Sequence, residues 1–381
     1  MINFSVFNPT RVHFGRKVAH QIGSDAKLFG NKALILIGKG SVKKNGILHD
    51  VCSALDNAGI EWCLFEGIKS NPVYEDADNA VHLSKSFGAD MIIAVGGGSV
   101  IDTAKSVAVG HFVDHSVWEF FRGNGILPQK ALPLLVVLTL AATGTEMNRF
   151  TVLQDTLNRN KRGWGHELLY PKVAYLDPTY TYSVPSDYTA YGVSDMLAHT
   201  FELYFGVDNA PLSDHFATDV VKLGFEYGPL AVQQANHYEA RANILWLSTV
   251  ALNGTLQSGK KTGDFGVHAF EHVLSVLYDI PHGAGLSVVY PAWMKHFYNK
   301  IEDKLKFMAI RVLGNEKTGI DFIAELESFY SLIGTPKRLS EIGIHSEKHP
   351  EILDALVHNQ VRGTYFDMNL DDYKALLKLM A

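Results

Sequence analysis

Short apolar runs punctuated by glycine and proline turns fill the first half of the chain, and longer runs of helical period fill the second. The stretches Lys32–Ile37 (KALILI), 91–95, Leu134–Leu138 and Val173–Leu176 are apolar without alternation, the pattern of strands covered on both faces. Between them, 46–57 and Tyr74–Phe87 mix polar and apolar residues at helical spacing, 60–65 reads as a further strand, and Ser70-Asn71-Pro72 marks a turn. Strand and helix alternate, which predicts βαβ units on a parallel sheet. Residues 1–14 alternate loosely and fit either a strand or an edge extension. Beyond the turns at Pro178 and Pro185 the strand-like runs largely stop and amphipathic helical patterns take over. The reading is therefore an α/β domain over 1–185 followed by an all-helical domain over 186–381.

Composition supports two cores and excludes several classes of partner. The chain has 381 residues of which 47% are hydrophobic, ample to bury more than one domain. A net charge of −6 with scattered Lys and Arg argues against nucleic acid. The first residues show no cationic segment followed by an apolar one, and the longest greasy run, 131–142, is far too short to span a bilayer. The expectation is a cytoplasmic protein without membrane contact. Its two cysteines, Cys52 and Cys63, give no disulfide framework and read as reduced core residues.

Chemistry enters at 91–105, MIIAVGGGSVIDTAK, where an apolar strand, three glycines and a helix start follow one another. Such a turn lets backbone N–H groups and the positive helix end face an anion, while Ser99 and Asp102 can bond a hydroxyl or cap the turn. A second glycine turn, Gly38-Lys39-Gly40-Ser41, ends the KALILI strand, but GxGxxG occurs nowhere, so the ordinary dinucleotide fingerprint is absent. A third turn, TLAATGTEMN from Thr139 to Asn148, offers hydroxyls and amides to a ribose or phosphate. In the helical half, Asp195 and His199 stand four apart on one helix face, and HAFEHVLSVLYDIPHG brings His268, His272 and His282. Three imidazoles and a carboxylate suit Zn or Fe. His111/His115 and His345/His349 share the same spacing, but HSEKHP is charged and ends in Pro350, whereas Asp195, His199 and His268 lie among apolar residues where unpaired polar groups are costly.

Together GGGSVIDTAK, the ATGTEMN turn, the D-x3-H pair and the H-x3-H-x8-PHG stretch resemble the iron-containing (group III) alcohol dehydrogenase family, in its butanol dehydrogenase and broad-range aldehyde reductase branch. The resemblance implies an N-terminal nucleotide-binding α/β domain and an all-α metal-binding domain, the dehydroquinate synthase-like architecture, with the nicotinamide meeting the metal between them. It implies Asp195, His199, His268 and His282 as ligands of one divalent metal, Fe or Zn. His272 would stand beside the nicotinamide as a catalytic, non-ligating residue. Gly97, Gly98, Ser99 and Asp102 would hold the pyrophosphate and nicotinamide ribose, with Asn71, Thr139, Thr143, Thr145 and Lys161 along the rest of the cofactor path. The activity implied is NAD(P)H-linked interconversion of short- to medium-chain aldehydes and primary alcohols, by a homodimer. The turn after KALILI would face the adenine ribose; Gly38, Gly40 and Ser41, with Lys39, Lys43 and Lys44 nearby and no carboxylate at the strand end, favour NADP(H) over NAD(H). The second reading, a metal-dependent lyase or synthase of the dehydroquinate synthase type, requires convergent cations, for which only Lys161, Arg162, Lys260 and Lys261 are candidates.

Overall fold

The computed structural model describes residues 1–381. It divides into two compact units, Phe7–Val184 and a second made of Pro185–Ala381 together with Met1–Val6. The first six residues, expected with the α/β unit, thus pack with the helical one. The Ile2 N–H donates to Gly259 O at 3.2 Å, and a Cβ on Gly259 would come within 2.7 Å of the Met1 side chain.

In the Phe7–Val184 unit the strands are β1 (Arg11–Phe14), β2 (Lys32–Ile37), β3 (Glu61–Phe65), β4 (Met91–Gly96), β5 (Leu134–Leu138), β6 (Phe150–Asp155), β7 (Asn160–Gly165) and β8 (Val173–Leu176). Six of them form a parallel sheet in the order β1-β8-β5-β4-β2-β3. The four inner strands, β2, β4, β5 and β8, are buried almost throughout, which is why their sequences are apolar without alternation. From β2 the chain moves outward to β3, then crosses back to β4 and continues the other way to β5 and β8. The switch point therefore lies between the carboxyl ends of β2 and β4, where open α/β sheets take their ligands. Gly38 follows β2 there and Gly97 follows β4.

Two features differ from the sequence reading. Only Arg11–Phe14 of the first fourteen residues is a strand. The antiparallel hairpin of β6 and β7 was not anticipated, because β7 (NKRGWG) carries polar residues and two glycines and is held by its pairing from Phe150↔Gly165 to Asp155↔Asn160.

The Pro185–Ala381 unit contains nine α-helices, from Ser186–Tyr204 to Leu370–Met380. Ser186–Tyr204 is the central one: from Thr189 onward every residue except Tyr191 is buried. Around it Phe201 packs on Tyr290 at 5.1 Å between ring centroids, and Phe225 stacks on Phe329 at 4.3 Å. The His282–His296 helix meets the central helix backbone to backbone at Gly283, where a Cβ would lie 2.0 Å from Tyr191 O. Only glycine permits that approach, and it sets His282 at the level of Asp195.

Candidate active site

Asp195 and His199 sit on the central helix, His268 in the first turn of Gly266–Tyr278, and His282 at the first position of His282–His296. All three helices belong to one unit. Asp195 Oδ1 lies 3.2 Å from His199 Nδ1, 3.8 Å from His268 Nε2 and 3.9 Å from His282 Nε2. Asp195, His268 and His282 each offer a ligand atom within 4.8 Å of the other two. His199 joins through Asp195, and its ring centroid stands 4.5 Å from that of His268.

The donor set of the cluster suits a cation. Asp195 Oδ1, His199 Nδ1 and His268 Nε2 are buried without a hydrogen-bond partner, an arrangement that costs several kcal/mol unless something positive sits among them, on the order of 1–3 kcal/mol for each neutral group alone. The opposite ring nitrogens are already engaged. His268 Nδ1 lies 2.9 Å from Glu202 Oε1, and His282 Nδ1 bonds Glu271 Oε2. With a cation in place, each carboxylate would hold its imidazole in the tautomer whose Nε2 lone pair faces Asp195, as outer carboxylates do around metal-bound histidines. Three nitrogens and one oxygen fit a divalent transition metal.

Titration of the site tells the same story. Burial pushes His199 down to about 3, Asp195 offsets this in part, and the neighbouring imidazoles of His268 and His282 push it down further. Burial also disfavours a charged His268, but Asp195 and Glu202 outweigh it and raise the group to about 9. Asp195, despite burial that would raise it, is held well below the ordinary carboxylate range by the surrounding imidazoles. A buried carboxylate here keeps its charge and draws a proton where a cation would otherwise serve.

Glu202 and Glu271 were not singled out as site residues in the sequence. Both follow a ligand by three positions, Glu202 after His199 and Glu271 after His268, so helical periodicity places each on its ligand's side of the helix. Glu202 also accepts the N–H groups of Phe265 (2.6 Å) and His268 (3.1 Å), two free donors at the start of the Gly266–Tyr278 helix. Phe265 itself is left-handed, φ +57°, a costly conformation for an aromatic residue, and its ring stands edge-on to His268 with the centroids 5.9 Å apart. His272 is half-buried with its ring 5.5 Å from that of His282. His345 is exposed, and His111 bonds Ser84 Oγ at 3.0 Å.

In the α/β unit the Gly98–Gly110 helix starts directly behind β4. Its first N–H groups have no intrahelical acceptor. A Cβ on Gly98 would lie 2.9 Å from Thr143 Oγ1, and one on Gly97 3.3 Å from Leu140 Cβ, so the absence of side chains lets this turn pack closely against the segment that follows β5. Ser99 Oγ donates to Ser70 O, Thr139 N to Gly96 O at 3.0 Å, and Lys161 Nζ to Asn71 Oδ1 at 3.0 Å. These bonds gather Ser99, Thr139, Asn71 and Lys161 at the carboxyl end of the sheet or on the hairpin beside it. Asp102 and Thr145 are joined instead in an internal network: Asp102 accepts from Thr145 Oγ1 at 2.6 Å and Val152 N at 2.9 Å. Its centre is Lys105, fully buried, whose Nζ donates to Thr145 Oγ1 (2.7 Å), Asn148 O and Oδ1 (3.0 Å each) and Phe150 O (2.6 Å). Burial lowers Lys105 to about 8, with Asp102 and Glu146 opposing. Lys105 stands three residues after Asp102 on the same helix, a spacing that turns both to one side, but no local signal in the sequence marks it as buried. Gly38, Gly40 and Ser41 form the turn after β2, with Gly40 at φ +101°.

Of the cations that a dehydroquinate synthase-like chemistry would need, Lys260 is buried in bonds to Asp214 Oδ1 (2.6 Å) and Leu203 O (2.9 Å). No helix is long and apolar enough to cross a membrane.

The family model described as iron-containing alcohol dehydrogenase matches residues 9–178, and that of the Fe-containing alcohol dehydrogenase family, C-terminal, matches 189–381. The probable NADH-dependent butanol dehydrogenase 1 of Bacillus subtilis is 36% identical over 99% of both chains. The NADPH-dependent aldehyde reductase YqhD of Escherichia coli is 34% identical over 97% of both. A crystal structure of NADH-dependent butanol dehydrogenase A from Thermotoga maritima superposes with a TM-score of 0.96 at 36% identity, covering 100% of this chain and 98% of that one. With family models spanning both units and full-length relatives above 30% identity, the chain belongs to the iron-containing alcohol dehydrogenase family.

Proposed function

We propose that this NAD(P)-linked alcohol dehydrogenase and aldehyde reductase interconverts short- to medium-chain aldehydes and primary alcohols at the Asp195, His199, His268 and His282 cluster. The observation that carries the reading is the set of buried, partnerless atoms Asp195 Oδ1, His199 Nδ1 and His268 Nε2 turned toward one another. When bound, a divalent cation supplies Lewis acidity toward the substrate oxygen and a reduced nicotinamide supplies the hydride. Asp195 and the three imidazoles hold the cation, while Glu202 and Glu271 fix the imidazoles' tautomers. His272, one helical turn beyond His268, is assigned to moving a proton between the substrate side and solvent.

Gly97, Gly98 and Ser99 carry the pyrophosphate, with Asn71, Thr139, Thr143 and Lys161 lining the path and Asp102 and Thr145 holding its turns together. The metal is Fe or Zn, since the donor set suits both and the family's name supports iron. The preference is for NADP(H): no carboxylate follows β2, and Gly38, Gly40 and Ser41 leave the turn open beside exposed Lys39 and Lys44. Relatives named for NADH and for NADPH both occur, so the class is supported and the preference rests on this turn. A homodimer through the Arg11–Phe14 edge is supported by the exposed Phe4, Val6 and Phe7 beside it in sequence. The two free cysteines, Cys52 and Cys63, suit a reducing cytoplasm.

Elemental analysis of purified protein together with an aldehyde panel under NADH and NADPH tests the reading. Stoichiometric Fe or Zn and butanal-dependent oxidation of the nucleotide are expected. Metal-loaded protein that turns over neither nucleotide with any short- or medium-chain aldehyde would overturn it.

A further inference from the structure

Lys43, one of the cations that would greet a 2′-phosphate at the turn after β2, is already engaged: its Nζ is paired with Glu66 Oε2. The strand register explains why Glu66 is there. Leu36 of β2 pairs with Phe65 of β3, so the next residue, Glu66, falls opposite Ile37 at the carboxyl end of the sheet. Gly67 N then donates to Gly38 O at 3.2 Å and Ile68 N to Ile37 O at 3.4 Å, clamping this loop onto the end of β2. The carboxylate that dinucleotide sites place after the strand facing the ribose is missing at Gly38, yet one arrives from the neighbouring strand. Both partners are half-exposed, Lys43 at 44% and Glu66 at 55%, so the pair contributes little to folding.

We propose that Glu66 is a specificity-determining residue of the cofactor site, restraining the affinity for a 2′-phosphorylated adenosine by holding Lys43 and neutralising its charge. The inference rests on the reading that the adenine ribose lies at the Gly38 turn. A free Lys43 would offer a flexible, strongly cationic donor to a dianion; tied to Glu66 it presents a near-neutral pair, with the carboxylate available to ribose hydroxyls. Lys39 and Lys44, exposed on the same turn, remain to favour a phosphate, so Glu66 tempers the preference for NADP(H) without reversing it.

The test measures binding of adenosine 2′,5′-bisphosphate and of 5′-AMP to the full-length protein by calorimetry, alongside kcat/KM for NADPH and NADH. Glu66→Gln, close in shape at a half-exposed position, should raise the bisphosphate-to-AMP affinity ratio by about three- to tenfold, the scale of one screened charge acting on a dianion. In a Lys43→Met background the same change should have much less effect. An unchanged ratio in Glu66→Gln, or an undiminished gain in the Lys43→Met background, overturns the proposal. Gly38→Asp separates the two readings, because a Cβ there meets nothing closer than Ile68 O at 3.6 Å and the residue fits without strain. If Gly38→Asp weakens the bisphosphate while Glu66→Gln does nothing, only the role of Glu66 falls; if neither changes the ratio, the ribose does not lie at this turn and both fall.

Discussion

At the scale of single residues, the proposed metal cluster rests on side chains outside its donor set. Glu271 is fully buried, accepting from Ser275 Oγ on one oxygen and from His282 Nδ1 on the other. Glu271→Gln keeps an acceptor for the imidazole N–H, whereas Glu271→Leu removes it and frees His282 to rotate. Loss of such an outer partner costs about 10- to 100-fold in metal affinity. Competition with a chromogenic chelator should place Glu271→Leu in that range and Glu271→Gln well below it; equal affinities for both variants and the parent would show that Glu271 only fills space. His345→Ala, on an exposed position, serves as the control. His272→Ala should leave the metal content intact and lower turnover by about 10²- to 10⁴-fold with an altered pH profile, the span expected when a general acid–base is removed. If elemental analysis instead found the metal gone, His272 would be a ligand and the role of His268 or His282 would need revision.

At the scale of elements, the site exists because helices approach closely, and glycine sets the distance. Gly283→Ala would drive a methyl into Tyr191 O and Cα, which are backbone atoms of the central helix and cannot swing aside. Forcing extra volume into such a contact costs about 1–3 kcal/mol, occasionally more. The separation would also carry His282 away from Asp195, so metal affinity should fall together with the urea midpoint; a variant that melts earlier but holds its metal at parental affinity would break that link. This glycine is visible in PHG as a letter, but its purpose is not, since the clash lies 92 positions earlier in the chain, at Tyr191. The same contrast runs through the fold. The inner strands β2, β4, β5 and β8 were legible because burial on both faces leaves no polar alternation. The β7 strand was not, because its conformation comes from pairing with β6 and not from its own apolar pattern. Asp195, His199 and His268 stand out as polar residues in apolar surroundings, a local signal, whereas His282 joins them only through the resemblance to the family. Glu202 and Lys105 did not, because a buried charge at helical spacing acquires meaning only once its partners on other elements are known: Phe265 and His268 for the first, Asn148 and Phe150 for the second.

At the scale of the whole molecule, the residues assigned to the cation all come from the Pro185–Ala381 unit, and those assigned to the pyrophosphate all come from the Phe7–Val184 unit. Each ligand should therefore stabilise its own unit by mass action, by about 4 kcal/mol when present at a thousand times its dissociation constant. Hydrogen exchange followed by mass spectrometry can read this element by element. Removing the metal with a chelator should deprotect the helices Ser186–Tyr204, Gly266–Tyr278 and His282–His296, because Asp195, His199 and His268 are then left as buried polar atoms without a partner. The strands β2, β4 and β5, whose backbone bonds are made within the parallel sheet, should keep their protection. Adding nucleotide to the chelated protein should slow exchange at Gly97, Gly98 and Ser99 and leave the three helices open. Chelation that loosened β2, β4 and β5 as much as the metal-bearing helices would mean that the two units unfold as one, and that the cation supports the entire chain and not only the helices that supply its ligands.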